Sequence, residues 1–424
     1  MSNLTINADR LLGRIQELGG IGRDAQGRLV RVAASDMDRL GRDRLVGWLE
    51  EAGLEVVIDR IGNIFGIWKT GANESQAPVM LGSHIDTVID AGIYDGCYGV
   101  LAGLEAIESL KEAGFVPARP VVVAAFTNEE GVRFSPDMMG SLVFAGGRDL
   151  GEALASVGTD GTVLGKELER IGYAGSHEPG FLKPHAYVEL HVEQGPVLER
   201  EGIAVGAVEN LQGISWQRIT IDGEANHAGT TPMSMRRDAG VAAARVIDFL
   251  ADRVGASSTR TVATVGTIAF EPNAINVIPS RATFTIDLRD PNETHLREQE
   301  AALAAFLDEL SASAGVAVHA ESLARFEPVT FDAGIVSLIE DGARAAGLSC
   351  RRMTSGAGHD AQMIARIAPS AMIFVPSRGG ISHNPAEFTA PDELVAGANI
   401  LLGVAARLAA DCMAGGMQIG VPRR

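Results

Sequence analysis

The sequence predicts an α/β protein: a discontinuous domain with a mainly parallel central sheet flanked by helices, plus a smaller inserted α+β domain. Three observations carry this expectation. Continuous apolar runs such as "PVVVAAF" (120–126) mark strands buried on both faces, the habit of parallel sheets. Strand and helix patterns alternate in both the first and the last part of the chain, as in α/β folds. Between about Gly213 and Arg325 the order becomes β-α-β-β-α, which suits helices on one face of an antiparallel sheet. The 424 residues are long for one core, and the expected domains are 1–212 with 326–424, and 213–325.

Taken in order, "MSNLTINADRLLGRIQELGG" has helical period and reads as an amphipathic surface helix. "SDMDRLGRDRLVGWLEEAG" is a second helix, with Ser35 as N-cap and Gly53 as stop. "LEVVID" and "GNIFGIW" are short strands, and "APVMLGSH" is a buried one. The helix "CYGVLAGLEAIESLKEAG" stops at Gly114, and "PVVVAAFTNEE" follows as a strand. The middle region holds the strand "ISWQRITIDG", the helix "DAGVAAARVIDFLADRV", the strands "TRTVATVGTIAF" and "RATFTIDLRD", and the helix "LREQEAALAAFLDELSASAG". The α/β pattern resumes with the helix "DAGIVSLIEDGARAAG", the strand "APSAMIFVP" and the closing helix "PDELVAGANILLGVAARLAADCM".

Composition narrows the function. Net charge is −18 with no Lys/Arg-rich block, which argues against nucleic acid as a partner. Cys97, Cys350 and Cys412 are far apart and form no CxxC, so a reducing cytoplasm is the expected compartment. The N-terminus lacks a secretory apolar core, and no segment reads as a membrane span of roughly 20 apolar residues.

Four stretches carry the unusual polar residues: "SHIDT…YDG", "TNEEGVRF", "VELHVEQGP" and "GGISHNPAE". Each lies at a strand end or in a Gly/Pro loop, where function concentrates. Together they offer His84, Asp95, Glu130, His191 and His383 as ligands. Imidazole and carboxylate without thiolate suit zinc, manganese, cobalt or nickel. Two divalent ions about 3.5–4 Å apart and sharing a carboxylate would need about this many ligands, and would activate a water between them. Asp86, two residues past His84, is placed to accept from the other ring nitrogen and fix its tautomer. A lone histidine such as His177, His185, His295 or His319 reads as an ordinary core or surface residue.

The chain resembles the dinuclear-metal aminoacylase/carboxypeptidase superfamily (peptidase M20-like). Within it, the closest likeness is to the branch of N-carbamoyl-L-amino acid hydrolases, β-ureidopropionases and allantoate amidohydrolases. Ten ordered motifs carry the likeness: "GSHIDTV", "YDGCYGVLAGLEAI", "TNEEGVRF", "ELHVEQGPVLE", "NHAGTTPM", "RRDA", "NVIP", "TIDLRD", "SGAGHDAQ" and "GGISHNPAE". The resemblance implies that His84 and His191 each anchor one ion side, that Asp95 bridges, and that Glu130 and His383 complete the shells. Spacing does not separate the roles of Glu129 and Glu130; the resemblance makes Glu129 the general base. It also implies that 1–212 with 326–424 form the catalytic domain and 213–325 a lid and dimerisation domain.

On the substrate side, His227 in "NHAGTTPM" could donate to a developing oxyanion. In the family this histidine reaches the partner subunit's site, which implies a homodimer. Arg289 is the expected bidentate clamp on a substrate carboxylate. Asn276 and Gln194 could hydrogen-bond the substrate, Gly358 could offer backbone groups, and His359 and Asp360 could stand behind the ligands. The expected reaction is metal-dependent cleavage of the carbamoyl C–N bond of N-carbamoyl-L-amino acids, small carboxylate-bearing ureido substrates. Allantoate, 3-ureidopropionate and N-acyl amino acids are the alternatives within the class. A ligand-binding homologue without activity should have lost a ligand or Glu129, and none is missing.

Overall fold

The computed structural model describes residues 4–410. The chain forms two compact units, Met1–Glu209 with Phe331–Arg424, and Asn210–Thr330. In chain order the strands are β1 (Glu55–Ile58), β2 (Ile64–Trp68), β3 (Val79–His84), β4 (Val121–Phe126), β5 (Ala186–Val192) and β6 (Val205–Leu211). They continue with β7 (Gly213–Asp222), β8 (Val262–Glu271), β9 (Arg281–Asp290), β10 (Ala317–Phe326), β11 (Val329–Thr330), β12 (Cys350–Ser355) and β13 (Ser370–Val375).

The larger sheet has the order β1-β2-β4-β3-β5-β13-β6-β11, with β12 also on β6. Its centre, β4-β3-β5-β13, is parallel, while β1, β2 and β6 join antiparallel. Every residue of β3, β4, β5 and β13 is buried, as the apolar runs require. Helices cover this sheet. Cys97–Glu112 and Pro391–Ala410 pack on each other, the first against β3, β4 and β5 and the second against β3, β5 and β13. Pro391–Ala410 is long and apolar enough by composition to match a membrane span, contrary to the sequence expectation. Its buried Leu394, Leu401, Leu402 and Ala405 belong to the core of this domain, which accounts for that composition. The expected extension of this helix to Met413, with Cys412, lies outside the described residues.

The caps behave as their residue types demand. The Ser35 side chain accepts from the Asp38 N–H to start Asp36–Glu51, and Gly53 follows the helix at φ 66°.

The smaller unit is a four-stranded antiparallel sheet, β10-β7-β9-β8. β9 alternates buried and half-exposed residues, and its Phe284, Ile286 and Leu288 face the helices Ala239–Gly255 and Glu293–Ala314. The reading from sequence had no strand at β10. "AVHAESLARF" is mostly exposed and lacks the period-two apolar pattern that marks a half-buried strand.

Candidate metal centre

The polar residues converge at the carboxyl ends of β4, β3, β5 and β13, the edge of a parallel sheet where loops gather around ligands. β3 ends at His84, and the loop after it carries Asp86 and Asp95. Gly96 then turns the chain into Cys97–Glu112 at φ 62°, and a Cβ there would lie under 3.0 Å from the His84 ring. Glycine is needed on both counts. β4 delivers Glu129 and Glu130, β5 carries His191, and the loop after β13 carries His383. Asn128, Gln194 and His383 all hold positive φ (57°, 57° and 52°). Such strain persists where surrounding structure over-determines the backbone, typically at functional sites.

Two triads share Asp95. His84 Nε2 and His191 Nε2 lie 3.5 and 3.1 Å from Asp95 Oδ1. His383 Nε2 lies 3.3 Å from Asp95 Oδ2 and 3.4 Å from Glu130 Oε2. In each triad the ligand atoms fall within 4.8 Å of one another. The tautomers decide what this arrangement suits. His84 Nδ1 meets the Asp86 carbonyl at 3.0 Å and His191 Nδ1 meets the Val192 carbonyl at 2.8 Å. A carbonyl only accepts, so both Nδ1 atoms carry the hydrogen. Each ring, when neutral, therefore turns an Nε2 lone pair toward Asp95 Oδ1, and His191 Nε2 also accepts from Gly96 N–H at 3.0 Å. Glu130 Oε1 is buried and has no hydrogen-bond partner. Lone pairs converging from buried groups fit a cation, and this donor set fits a borderline divalent one.

Without that compensation the charges are costly, and the titration behaviour reflects it. Burial pushes the Glu129 carboxyl well up, and Asp360, Glu130 and Asp95 add to the rise against the pull of His84. Burial and then Asp95 raise Glu130 to about 8. Burial opposes ionisation of Asp95, yet the imidazoles of His191, His383 and His84 around it outweigh burial and hold that carboxyl well below its usual range. The hydrogen bond to Asp95, against burial, lifts His383 to about 9.

Asp86 sits beside His84 as expected but holds it differently. Its backbone carbonyl, not its carboxylate, receives Nδ1–H; the carboxylate oxygen is 3.9 Å away. The carboxylate instead accepts from the N–H groups of Glu129 (3.2 Å) and Glu130 (3.3 Å). Glu129 Oε2 lies 3.4 Å from His84 Nε2.

Gln194 donates from Nε2 to Asp95 Oδ2 (2.8 Å) and Ser382 Oγ (3.1 Å), leaving a buried Oε1 with no hydrogen-bond partner. Gly358 lies against Met138, and His359 packs its ring on His191 with centroids 4.5 Å apart. His227, Asn276 and Arg289 belong to the smaller unit. There, Ala228 N–H donates to the Asn276 carbonyl, and His227 pairs with Val277 in an isolated bridge. His227 Nδ1 accepts from Gly229 N–H at 3.0 Å, so the exposed ring carries its hydrogen on Nε2. Arg289 already forks onto Asp287, with Nη2 to Oδ2 at 2.9 Å.

Two site residues escaped the sequence reading. Glu189 accepts from Ser83 Oγ (2.6 Å), Tyr187 OH (3.1 Å) and Ala361 N–H (2.7 Å). Its position two residues before His191 in a strand puts it on the same face, a signal the sequence did contain. Glu387, the final residue of "GGISHNPAE", had no such signal.

The model of peptidase family M20/M25/M40 matches residues 80–407, and the chain belongs to that family. It is 40% identical to the N-carbamoyl-L-amino-acid amidohydrolase of Rhizobium meliloti over 399 residues, covering 94% of this chain and 96% of that one. It is 37% identical to the allantoate amidohydrolase of Bacillus subtilis, covering 84% and 87% of the two chains. An amidase of the hydantoinase/carbamoylase family from Burkholderia multivorans superposes with a TM-score of 0.90 at 41% identity, covering 97% of this chain and 100% of that chain.

Proposed function

We propose that the protein hydrolyses the carbamoyl C–N bond of N-carbamoyl-L-amino acids, releasing the amino acid, carbon dioxide and ammonia. The observation that carries this reading is the pair of triads sharing Asp95, with Glu129 beside them and unused as a ligand in either. His84, Asp95 and His191 would hold one divalent ion, and Asp95, Glu130 and His383 the other, as zinc, manganese, cobalt or nickel. When bound, such a pair acidifies a water and polarises a carbonyl, which poorly electrophilic ureido groups need.

The chain's own groups supply the rest. Glu129 takes the proton of the attacking water and returns it to the leaving nitrogen, a role worth about 10²–10⁴-fold. Gln194 Oε1 is an acceptor without a hydrogen-bond partner and matches the N–H groups of a carbamoyl end. The Nε2 hydrogen of His227 suits an oxyanion. Arg289 would clamp the substrate carboxylate, shared with Asp287, while Asn276 and Gly358 would add polar contacts. In this reading 213–325 is a lid and dimerisation domain, and His227 completes the site of a homodimer.

The test is an ammonia-release screen of metal-reconstituted protein against N-carbamoyl-L- and D-amino acids, allantoate, 3-ureidopropionate and N-acetyl-amino acids. The expected result is the highest kcat/KM for N-carbamoyl-L-amino acids and loss of activity with chelator. Faster turnover of allantoate would reassign the substrate, and full activity after complete metal removal would overturn the mechanism.

A further inference from the structure

His383 stands apart from the other ligands. His84 and His191 belong to buried strands and are each 1% exposed, whereas the His383 side chain is 53% exposed on a loop and holds φ 52°. Something must hold that imidazole against Asp95 and Glu130. The loop is closed at its base by Arg378 N–H to Phe388 O and by Thr389 Oγ1–H to Pro376 O. Neither bond reaches the ligand itself.

Glu387 does reach both sides. Its Oε1 accepts from Ser382 Oγ at 2.9 Å, immediately before His383. Its Oε2 accepts from the N–H groups of Tyr94 and Asp95, each at 3.3 Å. Glu387 is 5% exposed, and its carboxylate lies over Gly92, where a Cβ would collide with it. Ser382 has one hydrogen to give, and Glu387 at 2.9 Å is better placed for it than Asp95 Oδ2 at 3.5 Å. The Ser382 oxygen in turn accepts from Gln194 Nε2. One buried carboxylate thus ties the Asp95 backbone to the segment that presents His383.

We propose that Glu387 is a positioning residue for one ion only: through Ser382 it sets His383 against Asp95 Oδ2 and Glu130, and it leaves the His84–Asp95–His191 group to the sheet. The selectivity follows from geometry. Asp95 Oδ1 faces the two strand histidines, while Oδ2 faces His383, Gln194 and Ser382. Loosening the clamp frees the Oδ2 side, while His84 and His191, held by β3 and β5, keep their places facing Oδ1.

The proposal rests on the two-ion reading, and one titration separates the two claims. Metal-free wild type, Glu387→Gln, Ser382→Ala and the double variant are titrated with cobalt(II), following both stoichiometry and d–d absorption, alongside apo-protein Tm. Gln keeps an oxygen for the Tyr94 and Asp95 N–H groups but turns an NH2 to Ser382, so Ser382 loses its carboxylate acceptor and that link is reversed in polarity without emptying the space. The expected result is two ions in wild type, and a second ion weakened about 10- to 100-fold in each variant, with the first ion and the apo Tm unchanged. The double variant should be no worse than the worse single one, because both break the same clamp. Wild type binding fewer than two ions would overturn the two-ion reading. Two ions in wild type with unchanged stepwise affinities in Glu387→Gln, or equal weakening of both ions with a lowered apo Tm, would overturn the role of Glu387.

Discussion

Replacing Asp86 by Asn separates the two ways this residue could serve the site. The carboxylate accepts from two backbone N–H groups, those of Glu129 and Glu130, while its own carbonyl holds His84. Asn offers one carbonyl oxygen and one NH2, so one of those buried N–H donors loses its acceptor. An unsatisfied buried donor costs about 1–3 kcal/mol. If that cost is relieved by moving the Glu129 turn, the base leaves its place 3.4 Å from His84 Nε2. At 1.36 kcal/mol per factor of ten, kcat falls by about 5- to 150-fold. The His84 tautomer is unaffected, because the backbone carbonyl at residue 86 survives the substitution. Cobalt titration should therefore return wild-type affinity for the His84–Asp95–His191 group while turnover of an N-carbamoyl-L-amino acid drops. Wild-type kcat would refute the coupling to Glu129. Loss of the first ion in step with loss of rate would show that the side chain steers His84 after all.

Glu129→Gln should keep both ions and lower kcat by about 10²-fold or more, and near-normal turnover would remove it as the base. Gly96→Ala forces a methyl into the His84 ring at a backbone angle that L residues avoid, so the first ion should bind about tenfold or more weaker by titration. Arg289→Ala should raise KM for carboxylate-bearing substrates with little change in kcat, and an unchanged KM would dismiss the clamp. His227→Ala should lower kcat by about 10²–10³-fold, and full activity in a strictly monomeric protein would contradict a site shared between subunits.

Much of this was legible in the chain itself, for identifiable reasons. The parallel centre follows from runs such as that of β4, whose side chains have no solvent face to alternate toward. Ser35 and Gly53 mark a helix because capping chemistry is local. The candidate ligands stand out because histidines and carboxylates at the ends of apolar strands are costly unless compensated. Where the signal was weak the reading failed: the exposed β10 has no alternation to detect.

Only the tertiary structure decided how those groups work together. Which atom of Asp86 meets His84 depends on the curvature of the loop, and no spacing rule distinguishes a carbonyl from a carboxylate two residues away. The pairing of Arg289 with Asp287 and the reach of Glu387 from the His383 loop to the Asp95 backbone are likewise contacts made in space. Residue types fix which chemistry is available, but hydrogen bonds act over about 3 Å, a distance that sequence separation does not encode.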